Sequence, residues 1–200
     1  MVRWSSKGMS MKSNDEARKL AMSALMTDPP IHQFASPIDY IFVEHFRQRM
    51  LCQMLDQIAV ASGADADSIA AVLDFILDDF AVHIRDEEED LFPLLRHRAH
   101  PDDGIERILA RLCEEHAADS LDAEAIKIGL SKALADARLS QKLRRLLHRF
   151  AANERRHLTL ENAIVLPFAR LRLTASDLER IGQNMAARRN IRYSKVEDAS

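Results

Sequence analysis

Glycine and proline are scarce, 5 and 6 of 200 residues, and long stretches such as 38–62 and 130–166 carry neither. That excludes a chain broken by many tight turns and leaves the α-helix as the element the sequence favours. Cysteine is nearly absent. Cys52 and Cys113 form neither a disulfide framework nor a Cys-x-x-Cys pair, and they suit buried thiols in a reducing compartment. The net charge is only −3, which gives no electrostatic case for nucleic acid or a membrane surface. No apolar run approaches the ~20 residues of a membrane span. The opening stretch MVRWSSKGMSMKSNDEARKL lacks the apolar region of a signal peptide. These absences together predict a cytoplasmic protein with neither nucleic acid nor membrane as a partner.

What is present is helix-forming. Apolar residues make up 47% and charged residues 30%, dominated by Ala, Leu, Arg, Glu and Asp, and the length suffices for one domain with a sizeable core. The sequence predicts an all-α protein: an up-down-up-down antiparallel four-helix bundle at 36–173. An N-terminal extension at 1–35 holds a short helix, and 174–200 holds a C-terminal helix and a frayed tail. The short first helix is expected from a cap at Asn14 or Asp15 to Met26, ended by Asp28-Pro29-Pro30. Ser36-Pro37 opens the first bundle helix, with an apolar stripe of Ile38, Ile41, Phe42, His45, Cys52, Leu55 and Ala59. The second starts near Asp65 or Asp67, and Pro93 should kink or thin it one turn from its end. The third runs from Ile105 to about Ala135 and the fourth from after Ser140. Thr174 to Asp177 reads as a cap for a last helix.

One phrase occurs twice. His83–Glu87 lies in HIRDEEEDLFP and His157–Glu161 in HLTLENAIVLP, each a histidine and a glutamate four apart, with a proline six residues after the glutamate. Positions i and i+4 share a helix face, so each phrase aims an imidazole and a carboxylate at one point. Glu44-His45 stands 38 residues ahead of the first phrase's histidine, and Glu115-His116 stands 41 ahead of the second's. The chain reads as one helical hairpin written twice. Two such hairpins face to face would bring together His45, His83, His116, His157, Glu87 and Glu161.

Imidazole nitrogen with carboxylate oxygen suits iron, zinc, manganese or copper, whereas calcium and magnesium prefer oxygen alone. Glu87 and Glu161, each one turn from a histidine, would bridge two ions. The four histidines would be terminal ligands, two per ion, with a solvent-derived oxo or hydroxo bridge. Taken singly, a histidine on an apolar stripe is more often a satisfied core residue, and a charge run such as DEEED more often a solvated face. Taken together, all six fall on the inward stripes of their helices, and two facing buried carboxylates need something to neutralise them. Ferritin-like bundles use two Glu-x-x-His motifs; only Glu154–His157 matches here. His32, His97, His100 and His148 sit in linker, turn or arginine-rich surroundings and receive no role.

At these residues, from about Asp39 to Arg172, the sequence resembles the hemerythrin-like family of HHE cation-binding proteins. The resemblance implies a four-helix bundle around a non-haem di-iron centre, held by His45, His83, Glu87, His116, His157 and Glu161. Oxygen-carrying members have a further histidine one turn after the position of His116. Ser120 stands there instead, which implies an additional open coordination position. The four-His, two-Glu set is similar to that of di-iron proteins that repair iron centres, although 1–35 supplies no cysteine-bearing domain of the kind those carry. The expected function is therefore binding or sensing of a small diatomic or redox ligand (oxygen, nitric oxide or peroxide). Reduction of nitric oxide or peroxide, and iron donation for repair, are the alternatives. Two iron ions are the expected cofactor, zinc or manganese being chemically acceptable, and a protein partner is left open.

Overall fold

Two apolar clusters, one at each end of a helical bundle, are separated by a polar layer. The computed structural model describes residues 6–27 and 34–193, and among these there is no strand. Helix α1 spans Ser6–Met26 and α2 spans Pro37–Val60. A continuous rod over 66–98 contains α3 (Ala66–Phe75), α4 (Ala81–Arg85) and α5 (Phe92–Arg98), joined by π-helical turns at Ile76–Phe80 and Asp86–Leu91. Helix α6 spans Ile105–Asp136. A second rod over 141–172 contains α7 (Gln141–Leu160), a π-helical turn at Glu161–Val165 and α8 (Leu166–Arg172). Helix α9 is Ala175–Arg188.

The direction of each rod follows from its side chains. Along α2, Ile38 and Ile41 lie in one cluster and Leu51, Leu55 and Ile58 in the other. The 66–98 rod runs back, from Val72, Phe75 and Phe80 to Leu91, Phe92 and Leu95. Helix α6 returns, from Leu109 and Leu112 to Ile126 and Leu130, and the 141–172 rod reverses once more, from Leu147 and Phe150 to Val165 and Ala169. The bundle is therefore up-down-up-down and antiparallel, as the sequence predicts. Ala21 and Leu25 of α1 join the first cluster, and Ile181, Met185 and Ala186 of α9 join the second.

Several local expectations are corrected. Helix α1 starts at Ser6, eight residues before Asn14, because no proline interrupts that stretch and a lone Gly8 is too weak a breaker. Asp28-Pro29-Pro30 and His32 lie outside the described residues. Ser36 occupies the N-cap of α2 with Pro37 after it, yet its side chain makes no capping hydrogen bond. Phe42, placed on the inward stripe, is half exposed, while Glu44, Arg47 and Gln48 are buried in its stead. Arg47 explains the exchange: it donates to Glu44 and Asp79 and to the carbonyls of Ala24 and Leu25, tying the end of α1 to the bundle.

Pro93 and Pro167 do not act as simple kinks. Each sits in the first turn of a helix that follows a π-helical turn, and there Phe92 N–H donates to the Glu87 carbonyl and Leu166 N–H to the Glu161 carbonyl. Those bonds span five residues instead of four, a widening that accommodates a residue with no N–H to give. Both turns begin at or beside the glutamates of the repeated phrase.

The end of the chain is better ordered than its composition suggests. Thr174 and Asp177 form the reciprocal cap expected for α9, and Asp177 also pairs with Arg98 at 2.8 Å. A Cβ on Gly182 would meet the Phe34 carbonyl oxygen at 2.1 Å, so glycine sets how closely α9 can lie. The start of the tail expected to fray, at Arg188 and Arg189, is held by ion pairs with Asp86, both at 2.7 Å. Residues 194–200 lie outside the described part.

Candidate metal centre

The polar layer lies between the clusters because each rod changes from apolar to ionisable residues at the same height: His45 on α2, His83 and Glu87 on the 66–98 rod, His116 on α6, His157 and Glu161 on the 141–172 rod. All six are buried, and both glutamates are wholly inaccessible. Helical spacing makes the pairs: His83 Nε2 lies 3.5 Å from Glu87 Oε2, and His157 Nε2 lies 3.1 Å from Glu161 Oε1. Packing joins the hairpins. His45 Nε2 stands 3.5 Å from Glu87 Oε1 and 3.4 Å from Glu161 Oε2, and His116 Nε2 stands 3.3 Å from Glu87 Oε2.

Two sets of four emerge, with both glutamates in each: His45, His83, Glu87 and Glu161, and His116, His157, Glu87 and Glu161. Within each set one donor atom per residue lies within 4.8 Å of the others. The carboxylate oxygens of Glu87 and Glu161, and His45 Nε2, have no hydrogen-bond partner among the described residues. Buried ionisable groups left in that state are expensive unless a cation completes them. Four imidazoles and two shared carboxylates form a donor set that could hold two transition-metal ions.

Three of the four remaining nitrogens are anchored by residues that sequence reasoning left without a role. His116 Nδ1 lies 3.0 Å from Glu88 Oε1, His157 Nδ1 3.0 Å from Glu115 Oε2, and His45 Nδ1 3.0 Å from Asn162 Oδ1. The signal was available: Glu115 precedes His116, Glu88 follows Glu87, and Asn162 follows Glu161. Arg111 fixes the other oxygen of Glu115 at 2.8 Å. DEEED is no solvated face, since Asp86, Glu87 and Asp90 are buried.

Charge is unevenly shared. Burial opposes the imidazolium of His157, but Glu161 and Glu154 beside it lift its pKa to about 11. His116 is likewise opposed by burial and raised to about 9, chiefly by Glu87. Burial prevails at His83 and drives it down to about 3 against the pull of Glu87. Burial also works against ionised Glu87, yet the surrounding His83, His116 and His45 hold its carboxyl well below the ordinary range. Two further acids adjoin this layer. Burial pushes Glu154 up to about 7 and Asp119 up to about 6.

Ser120, the position where oxygen carriers have another histidine, is exposed, and the buried residue of that turn is Asp119. His97 and His100 are exposed, and His148 pairs with Asp56 at the surface at 2.6 Å.

A four-helix bundle with paired histidine–glutamate phrases meeting in its polar middle layer belongs to the class of cation-binding helical bundles. The model of the Hemerythrin HHE cation binding domain matches residues 36–172, and the chain belongs to that family. No curated protein matches the chain. No helix among the described residues is long and apolar enough to cross a membrane.

Proposed function

We propose that this protein is a non-haem di-iron protein that binds or senses a small diatomic or redox ligand: oxygen, nitric oxide or peroxide. His45 and His83 would hold one ion and His116 and His157 the other, with Glu87 and Glu161 shared between the two sets. The observation that carries this reading is the pair of inaccessible glutamates whose oxygens lack hydrogen-bond partners and face four imidazoles. A bound iron pair supplies one-electron chemistry and coordination positions for a small molecule. The protein orients the imidazoles through Glu88, Glu115 and Asn162, and keeps bulk water out with the apolar clusters on either side. The donor set also accepts zinc or manganese; iron rests on the family. The unpaired thiols of Cys52 and Cys113 support a cytoplasmic setting.

The test is metal analysis with a near-ultraviolet and visible spectrum on protein purified aerobically and then reduced. About two irons per chain with charge-transfer bands bleached by reductant is the expected result. Loss of both in Glu161→Ala would follow. Zinc, or no stoichiometric metal in a folded chain, would overturn the redox reading and leave a structural bundle.

A second reading, in which the ligand is reduced, gains support from Glu154. Reduction of nitric oxide or peroxide consumes protons, and a buried acid with a pKa of about 7 beside His157 can hold one at neutral pH. Steady-state turnover with an added reductant separates the two; saturable binding without turnover rules the second out.

A further inference from the structure

The two halves of the centre offer the same donors but stand in different surroundings. Around His116 and His157 the outer nitrogens meet carboxylates, Glu88 and Glu115, each at 3.0 Å. Around His45 the outer nitrogen meets the neutral amide of Asn162 at 3.0 Å, and His83 Nδ1 is buried without a partner among the described residues.

A carboxylate that accepts an imidazole N–H makes the opposite nitrogen a stronger donor and fixes the ring. That effect favours one half, once the protons its rings hold have been displaced. We propose that the centre consists of two unlike sites: a retained ion at His116 and His157, loaded first, and an exchangeable ion at His45 and His83. Glu88 and Glu115 are the positioning residues that create the difference. This rests on the metal-binding reading above, though not on the metal being iron or on the identity of the small ligand.

Anaerobic titration of metal-free protein with cobalt(II), followed by absorption and calorimetry, tests it. Two steps are expected, the first at least tenfold tighter. Glu115→Gln and Glu88→Gln keep an acceptor and remove its charge. Each weakens binding at His116 and His157 by about 10–100-fold and leaves binding at His45 and His83 within about twofold, so the two steps converge or exchange order, with circular dichroism unchanged. Glu115→Asp restores part of the loss, and Asn162→Asp tightens binding at His45 and His83. Two equal steps in the parent protein, or an effect of Glu115→Gln confined to the weaker step, would overturn the inference. A folded chain that binds no cobalt overturns it together with the metal reading. Two unlike cobalt steps in a protein whose iron form ignores oxygen, nitric oxide and peroxide leave it standing and remove only the function proposed above.

Discussion

His116 Nε2 and His157 Nε2 lie 3.0 Å apart in the middle of the bundle. Two ring nitrogens at that distance require either a proton between them or a cation before both. Which one is present must therefore depend on pH and metal together.

That dependence is the first prediction. In metal-free protein, His157 is raised from 6.5 to about 11 and His116 from 6.5 to about 9, so the pair holds protons at neutral pH, one of them between the facing nitrogens. Metal needs them neutral and must expel those protons. Apparent metal affinity should rise with pH from about 6 to 9, by up to roughly tenfold per unit for each proton released. The linkage to folding has the opposite sense. A raised histidine pKa contributes stability that is complete below 6.5 and disappears as pH climbs through about 9 and 11. Thermal melts should thus show alkaline weakening of metal-free protein that metal abolishes. Calorimetry in buffers of different ionisation enthalpy counts the protons, and a pH-independent affinity would refute the assignment.

Glu154 gives a second. It is buried, with one oxygen unpartnered among the described residues, and its pKa is raised from 4.5 to about 7. The unfolded chain ionises this acid near 4.5 and the folded chain only near 7. Stability of metal-free protein should therefore fall across that window, by on the order of 3 kcal/mol in total. Glu154→Gln removes an ionisable group of similar volume, so urea titrations of the variant should lack this portion of the decline. An identical pH profile in variant and parent would show that Glu154 is ionised throughout.

Much of this arrangement can be read in the sequence, because a helical period of 3.6 converts spacing into geometry. The repeated His-x-x-x-Glu phrase and the single histidines on the partner helices suffice to bring all six residues together. The π-helical turns could not be read, since Ile76–Phe80 contains no proline and nothing local distinguishes it from α-helix. Phe42 misled because an apolar stripe states which face is buried only when polar residues stay outside, and Arg47 found enough partners to be buried. Glu88 and Glu115 were legible as residues but not as partners, because their histidines lie on other helices. The ordered end at 188–193 likewise depends on Asp86, about a hundred residues earlier.

The third prediction concerns that ordered end. Asp86 is 1% exposed and carries both Arg188 and Arg189, while Arg189 also stacks over Phe34 and Tyr40. Removing one partner of a buried ion pair leaves the other charge poorly compensated, typically at about 3–5 kcal/mol. Arg189→Ala should lie near the lower figure, since Arg188 remains, and should increase proteolytic cleavage after α9. Urea denaturation and limited proteolysis measure both. A change below about 0.5 kcal/mol would make this a surface contact despite its burial.

The last prediction links the prolines to the centre. The bonds from Phe92 N–H to the Glu87 carbonyl and from Leu166 N–H to the Glu161 carbonyl place each glutamate in a widened turn. One extra residue in a turn rotates the helix before it by about 100° relative to the helix after it. Alanine at 93 or 167 supplies the missing N–H, so the neighbouring turn gains the option of closing as ordinary α-helix. That closure favours local helix and misdirects the carboxylate. Pro93→Ala and Pro167→Ala should therefore keep or raise the melting temperature of metal-free protein while lowering metal affinity roughly tenfold each. A purely structural proline would give the reverse, a lower melting temperature with metal affinity intact. Should both variants match the parent in both measurements, the glutamates are held by the packing of Phe92 and Leu166 in the core, and the prolines only mark the turn.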